Sequence, residues 1–482
     1  MKKKLSILMS TLLMFFVVGC GNSKKDNNSD KVPTDTSDTS SDTSSADKEK
    51  PATPQECNFC NSKPREITYP GTATNYTPTT FNASTYNKTL DATLADGVEL
   101  YKVNYTLNTI SSGNEITVYV TEVDLNKATV VAGSYNDSKD PGTYAKTSKI
   151  INQVNAWKSN NPTRTLYAAT NADFYGSQPV NAFVKDGIIL KNGHNVDYND
   201  VPVSSPYLFG ISGNQAQVGP MTDSTTQKDN VESRLTYGLE IYDTDCTSEV
   251  FDLSIDGILS KDKSTWISKV DTKISNRTVF ELTRDELSNN IFKAHVTNIF
   301  NVTNTQTFEP TRKVSYLVVA QGLESKIQLD TQVVLGFTKS EDGRWNYYTT
   351  ILGARHALVE DGNIPSTVAQ ETSNGATGRV PRTAIGVKHD GKVMIVSVED
   401  LQYGSSRTGV TVNTGVNLKE LADFMRYYGA YDAANFDGGG STQMIANING
   451  TMTVKVRSSD YAPAFNTANS RSVMNTILVV SK

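Results

Sequence analysis

The chain is poor in cysteine, histidine and tryptophan, with four, four and three of each in 482 residues. His194, His295, His356 and His389 fall at no metal-ligand spacing, and three of them read as solvated or structural; only His356 lies near the chemistry-bearing segments below. No HExxH, Walker loop or dinucleotide fingerprint appears, which excludes those zinc-protease, phosphate-loop and dinucleotide chemistries. Cys57-Asn-Phe-Cys60 has no second CxxC, so a four-thiolate zinc site is excluded. It lies in a polar, proline-flanked stretch outside any βαβ pattern and reads as a local disulfide; Cys246 reads as a small buried hydrophobe. Basic excess is missing too. A net charge of −5 with both signs interspersed is not that of a nucleic-acid binder. Beyond residue 18 no segment approaches the 18 apolar residues of a membrane-spanning helix.

What is present begins at the N-terminus. Lys2, Lys3 and Lys4 precede an apolar run from Leu5 to Val18, which ends in Gly19-Cys20. This is the pattern of a signal peptide over residues 1–19. Its ending resembles a bacterial lipobox, in which Cys20 becomes the lipidated first residue; the plainer alternative is ordinary secretion with a stray cysteine. Acyl chains partition into a bilayer at about 0.8 kcal/mol per CH₂, so several on one cysteine would hold the protein at the extracytoplasmic face of a cell membrane. Residues 20–52 are Ser, Thr, Asp, Asn and Lys with almost nothing apolar, and read as a disordered tether. Residues 53–92 gain aromatics and read as a loosely structured lead-in to a domain at 93–482, within which the polar stretch 223–350 reads as a β-rich insertion.

The domain reads as α+β, with a mixed, mostly antiparallel sheet core and a few packed helices. Val98–Tyr105 and Ile116–Val123 alternate as half-buried strands do. Ile150, Ile151, Val154 and Trp157 stand at helical spacing, and Pro162 closes that region. Thr165–Asn171 reads as a buried strand. Asp390-Gly391 and Asn449-Gly450 predict type I′ hairpin turns. Between them Asn417 and Glu420 form a capping box for a helix with Leu418, Leu421, Ala422 and Met425 on one face, and Gly429 supplies its left-handed end.

Four segments carry chemistry. Asn171-Ala-Asp173 follows a buried strand and sets two polar side chains on one face, either toward a ligand or as an Asx-turn. Arg382, after Pro381 and before an apolar strand, can offer a donor fork to phosphate or carboxylate, or make a surface ion pair. In Asn435-Phe-Asp437-Gly438-Gly439-Gly440-Ser441-Thr442 the glycines permit either a close ligand approach through an anion-binding nest or a plain hairpin. Arg471 stands before the C-terminal strand. The order of Asn-x-x-Phe-aromatic, Pro-Arg-Thr-Ala-Ile-Gly, Asn-x-Asp-Gly-Gly-Gly-Ser-Thr and Arg-x-Val-x-Asn resembles the phosphodiester glycosidase (NAGPA-type) family. The likeness spans roughly residue 93 to the C-terminus and is densest after Gly353.

The resemblance implies a hydrolase that splits the bond between a sugar's anomeric carbon and phosphate, in a cell-envelope or exopolysaccharide glycan, releasing free sugar and a phosphomonoester. It implies Asp437 as base or nucleophile, Arg382 and Arg471 as phosphate clamps assisted by the Gly438–Gly440 amides and Ser441, and Asn171 orienting a sugar hydroxyl. The family often has glycine where Asp173 stands, making Asp173 either a second carboxylate or a variant. Glu399 or Asp400 takes the place of an expected Asp-Gly-Arg. No cofactor is required; acidic turns such as Asp361-Gly-Asn offer calcium-type oxygens without a complete loop. The alternatives are a non-catalytic surface polysaccharide-binding lipoprotein and a phosphodiesterase cutting on the phosphate side.

Overall fold

The computed structural model describes residues 81–108, 115–135, 147–174, 179–191, 206–221, 237–242, 248–252, 258–259, 273–285, 292–308, 314–318, 324–337, 341–370, 377–399, 415–456 and 470–482. The expected leader, Cys20, the tether, Cys57, Cys60, Cys246, His194 and Asp400 lie outside them. No helix among the described residues is long and apolar enough to cross a membrane.

Two antiparallel sheets share one apolar core. The larger runs, in order, through Ala83–Ala95, Val98–Leu107, Ile116–Val123, Val393–Val398, Arg382–Lys388, Ala430–Asn435, Thr350–Val359, Phe183–Lys185 and Ile188–Lys191, with Pro206–Ser212 also paired to Thr350–Val359. The second runs through Thr451–Val456, Met444–Ile448, Leu166–Asn171, Asn475–Ser481 and Ala128–Ser134. Ile385, Val387, Ile395 and Ala434 of the first sheet join Ala168, Met444, Ile477 and Val479 of the second in a single buried cluster. Each of the isoleucine, valine and methionine side chains among them contributes about 1.5–3 kcal/mol on burial. The outer face of the second sheet is covered by the helix Ile150–Asn160 through Ile150, Val154 and Trp157. The outer face of the first is covered by the helix Leu418–Tyr428 through Leu418, Leu421, Ala422 and Met425. The α+β reading holds, and the core is antiparallel throughout the pairings given above.

Local chemistry sets the boundaries as the sequence suggests. Asn417 accepts from the Glu420 amide, Glu420 accepts from the Asn417 amide, and Gly429 ends the helix at φ 113°. Asn449 and Gly450 both have positive φ, as a type I′ turn needs. The Asp390 turn differs: only Gly391 is left-handed, and the Gly391 amide bonds Lys388 O. Asp390 keeps its ordinary conformation and instead accepts from the Lys392 amide.

Two expectations change or gain detail. The sheet starts at Ala83, inside the stretch expected as a loose lead-in. That first strand pairs along its length with Val98–Leu107, and Lys88 reaches inward to Glu122 at 3.0 Å. Glu122 also accepts from Lys388 at 2.8 Å and from Tyr428 Oη at 2.7 Å, while Lys88 lies over the Tyr101 and Tyr428 rings. Burial disfavours the Glu122 carboxylate, but the two lysines and the tyrosine outweigh it and hold its pKa at about 2. Within the region read as an insertion, a separate seven-stranded sheet forms from strands between Tyr237 and Phe337. Its Phe280, Leu282, Ala294, Val296 and Val333 pack with Val184, Leu208 and Ile351 of the main sheet.

Candidate functional site

Thr350–Val359 carries different neighbours along one edge. Ala430–Asn435 pairs with its second half and stops with Asn435 opposite Arg355; Phe183–Lys185 takes over at Ile351. Between those two strands the edge is filled by Asp173 and Asn181. Asn181 Nδ2 donates to Ala354 O at 3.2 Å, and a Cβ on Gly353 would lie 2.7 Å from Asp173 Oδ2. Only glycine admits that carboxylate. At this notch the chain leaves the first sheet after Asn435 and crosses to the second at Met444. The crossing is the loop Phe436–Gln443.

The loop is held by three other segments. Asn171 Nδ2 donates to Asp437 O at 2.7 Å, while Asn171 Oδ1 accepts from Thr383 Oγ1 at 2.8 Å and from the Gln443 amide at 3.1 Å. The Asp437 amide donates to Ala172 O, the Gly439 amide to Pro381 O, and the Phe436 amide to Thr383 O. Gln443 Nε2 donates to Arg471 O at 2.9 Å. The four segments around residues 171, 382, 437 and 471 therefore meet at one sheet edge.

Their side chains do not all do what the residue types suggested. Asn171 is fully buried, and its amide is a brace between strand and loop, not a group turned to a sugar. Asp173 is 1% exposed and accepts from the amides of Phe174 and Asn181 and from Asn181 Nδ2, bonds that organise the notch. Two of the three glycine amides are also engaged: Gly438 donates to Asp437 Oδ1 and Gly439 to Pro381 O, so these two amides do not face an incoming anion as a nest. The glycines serve close packing. A Cβ on Gly438 would sit 2.9 Å from Pro381 O, and Gly439 has φ 58°. Arg471 is exposed, and it is its carbonyl that the frame uses. Glu399 follows the strand beside Arg382, its amide bonded to Thr117 O.

Arg382 and Asp437 keep the character expected of them. Arg382 is buried, with Nε donating to Val416 O at 3.1 Å and Nη2 to Gly378 O at 3.0 Å. Burial pulls its pKa down to about 10, and the nearby Asp437 charge offsets part of that loss. Asp437 is partly exposed. Behind it, Asn435 Oδ1, Ser441 Oγ, Thr442 Oγ1, Gln443 Oε1 and Asn475 Nδ2 are buried without a hydrogen-bond partner. Each such group costs about 1–3 kcal/mol; three of them lie in the loop, and Asn435 and Asn475 are on the strands that flank it, a grouping that stability alone does not favour.

Residues 287–480 match the phosphodiester glycosidase family model. The match takes in Arg355, Arg382, Asp437 and Arg471; Asn171 and Asp173 precede it. Over 145 residues the chain is 26% identical to N-acetylglucosamine-1-phosphodiester alpha-N-acetylglucosaminidase of Mus musculus, covering 27% of this chain and 26% of that protein. The Bos taurus protein of the same name is 27% identical over 154 residues, covering 29% and 27%. The chain thus spans about a quarter of the length of these curated relatives. Among solved structures, a hypothetical protein from Synechocystis aligns over 80% of this chain and 63% of its own, at 16% identity and a TM-score of 0.47.

Among the described residues no group of three or more His, Cys, Asp or Glu is placed to hold a metal ion. Sequence reasoning gave no role to Thr383, Gln443 or Asn181, which act as partners. Thr383 lies inside the Pro-Arg-Thr-Ala-Ile-Gly segment and Gln443 directly follows another singled-out segment, so their positions were visible though their bonds were not. Asn181 carried no signal.

Proposed function

We propose that this protein is a lipid-anchored, extracytoplasmic hydrolase acting on a sugar-1-phosphodiester of a cell-envelope or exopolysaccharide glycan. The observation that carries the reading is a partly exposed carboxylate, Asp437, on a loop braced from three directions and bonded through Gly439 to Pro381, the residue before the buried Arg382, whose guanidinium feels the Asp437 charge. The family match over residues 287–480 supports the same chemistry. The lipid anchor rests on the N-terminal sequence alone.

In this mechanism the bond between the anomeric carbon and the phosphate oxygen breaks, and the electron pair leaves with the phosphomonoester. Water supplies the new hydroxyl on the sugar. Asp437 faces the positive charge that develops at the anomeric carbon, either as the base that takes the proton of the attacking water in one step, or as the nucleophile that forms a glycosyl ester as phosphate leaves and is then displaced by water, whose proton passes to the phosphomonoester or to solvent. Arg382 stabilises the charge on the departing phosphate. Phosphate leaves without strong protonation, so the reaction does not require Asp173 to serve as an acid.

The test is product analysis with residues 53–482 and a sugar-1-phosphodiester, followed by phosphorus and proton NMR. Free reducing sugar and a phosphomonoester support the reading. Sugar-1-phosphate would reassign the protein as a phosphodiesterase, and retained glycan binding without turnover would make it a binding protein. Asp437→Asn should abolish turnover with little change in melting temperature.

A further inference from the structure

We propose that Arg355, and not Arg471, is the second guanidinium of the anion pocket. Arg471 is exposed and contributes its carbonyl to the frame. Arg355 is only 8% exposed, in the middle of a sheet, where an arginine is uncommon. The register fixes which way it points. Arg355 lies opposite Asn435, Asn435 lies opposite Ala384, and directly opposed residues share a face of a sheet. Arg382, two residues from Ala384, shares that face. Both arginines therefore project from one side of the sheet, on strands separated by Ala430–Asn435. Strand spacing puts their Cα atoms about 12 Å apart, a gap that two long side chains can close around one phosphate.

The surroundings agree. Along this face Ile351 belongs to the apolar cluster under the seven-stranded sheet, while Leu358 and Val359 belong to the cluster under the helix Leu418–Tyr428. Arg355 stands between these two dry patches, with the unpartnered Asn435 Oδ1 opposite it and the small Ala384 one strand further on. The next residue, His356, is left-handed at φ 60°, and the ladder slips between Arg355 and Ala357. Bulges of this kind bend a strand and re-aim a side chain. Asp173, over Gly353 on the same face, limits the net positive charge, so the site takes one diester or monoester phosphate and not a polyanion.

The inference rests on the phosphate-handling reading of the site but not on turnover, and the test separates the two. Inorganic phosphate is titrated by calorimetry into residues 53–482 of the wild type, Arg355→Lys, Arg355→Gln and Arg471→Gln. Lysine keeps the charge but loses the planar fork, so Arg355→Lys should bind phosphate at least threefold more weakly with a near-unchanged melting temperature. Arg355→Gln, where it folds, should lose tenfold or more, and Arg471→Gln should stay within twofold. Arg355→Lys equal to the wild type, a tenfold loss in Arg471→Gln, or no phosphate binding by the wild type would each overturn the assignment. Phosphate binding that follows Arg355 in a protein that does not hydrolyse a sugar-1-phosphodiester would keep this pocket and refute the hydrolase.

Discussion

Replacing Asn171 with alanine tests whether that amide is a brace. The substitution strands the Asp437 carbonyl, the Gln443 amide and the Thr383 hydroxyl, which now bond it at 2.7, 3.1 and 2.8 Å. The hydroxyl can rotate toward another acceptor; the two backbone groups cannot. At about 1–3 kcal/mol for each buried unsatisfied group, the expected loss is about 4 kcal/mol. That is a large share of the 5–15 kcal/mol typical of a folded domain. The loss is local, so amide exchange at Gln443 reads it best. Even 2 kcal/mol of easier opening speeds exchange about 30-fold. Thr383→Ala alone should cost about 1 kcal/mol, and the double variant should cost less than the sum, because both changes remove one shared bond. Urea unfolding supplies the global value. A cost below about 1 kcal/mol with unchanged Gln443 exchange would refute the brace, and a raised KM at unchanged stability would return Asn171 to the substrate.

Other outcomes follow from the same geometry. Glu122 has its pKa depressed from the usual 4.5 to about 2, so its contribution to stability is present above pH 4.5 and is lost as pH falls toward 2. Glu122→Gln should therefore cost on the order of 3 kcal/mol at neutral pH, and the melting curves of variant and wild type should converge near pH 2. Gly438→Ala places a methyl 2.9 Å from Pro381 O, which forces the Asp437 loop to move; turnover of a sugar-1-phosphodiester should fall tenfold or more while the fold survives by circular dichroism. Gly415→Ala meets Val380 O at 2.2 Å from a left-handed residue at φ 101°, so it should cost more than about 2 kcal/mol in urea unfolding. Asn417→Ala removes one half of the capping box and should cost about 1 kcal/mol.

Much of this fold was legible along the chain because the signals are local. The helix Leu418–Tyr428 announces itself through Asn417 and Glu420, which act within one turn at its start, and through Gly429, whose left-handed backbone ends it. Asn449-Gly450 fixes its own turn by the φ values those residues tolerate. The Asp390 turn shows the limit, since one left-handed glycine and a side-chain bond to Lys392 satisfied it without the second left-handed residue. Asp437 and Arg382 stood out because charged residues at the ends of apolar strands have few structural reasons to be there.

Tertiary structure alone decided what each polar residue does. Asn171 and Asp173 have the composition of a ligand site, yet the Asn171 amide bonds residues 383, 437 and 443, more than 200 positions away, and no local pattern encodes bonds over such separations. Arg355 was silent in sequence because its meaning lies in register. The strand that ends at Asn435, the helix that covers one patch of the face and the second sheet that covers another together leave an arginine between them. Sequence determines which residues are capable of chemistry, through their charge and backbone preference. Which of them meet, and which are consumed in holding the others, depends on pairings that close only when distant strands come together.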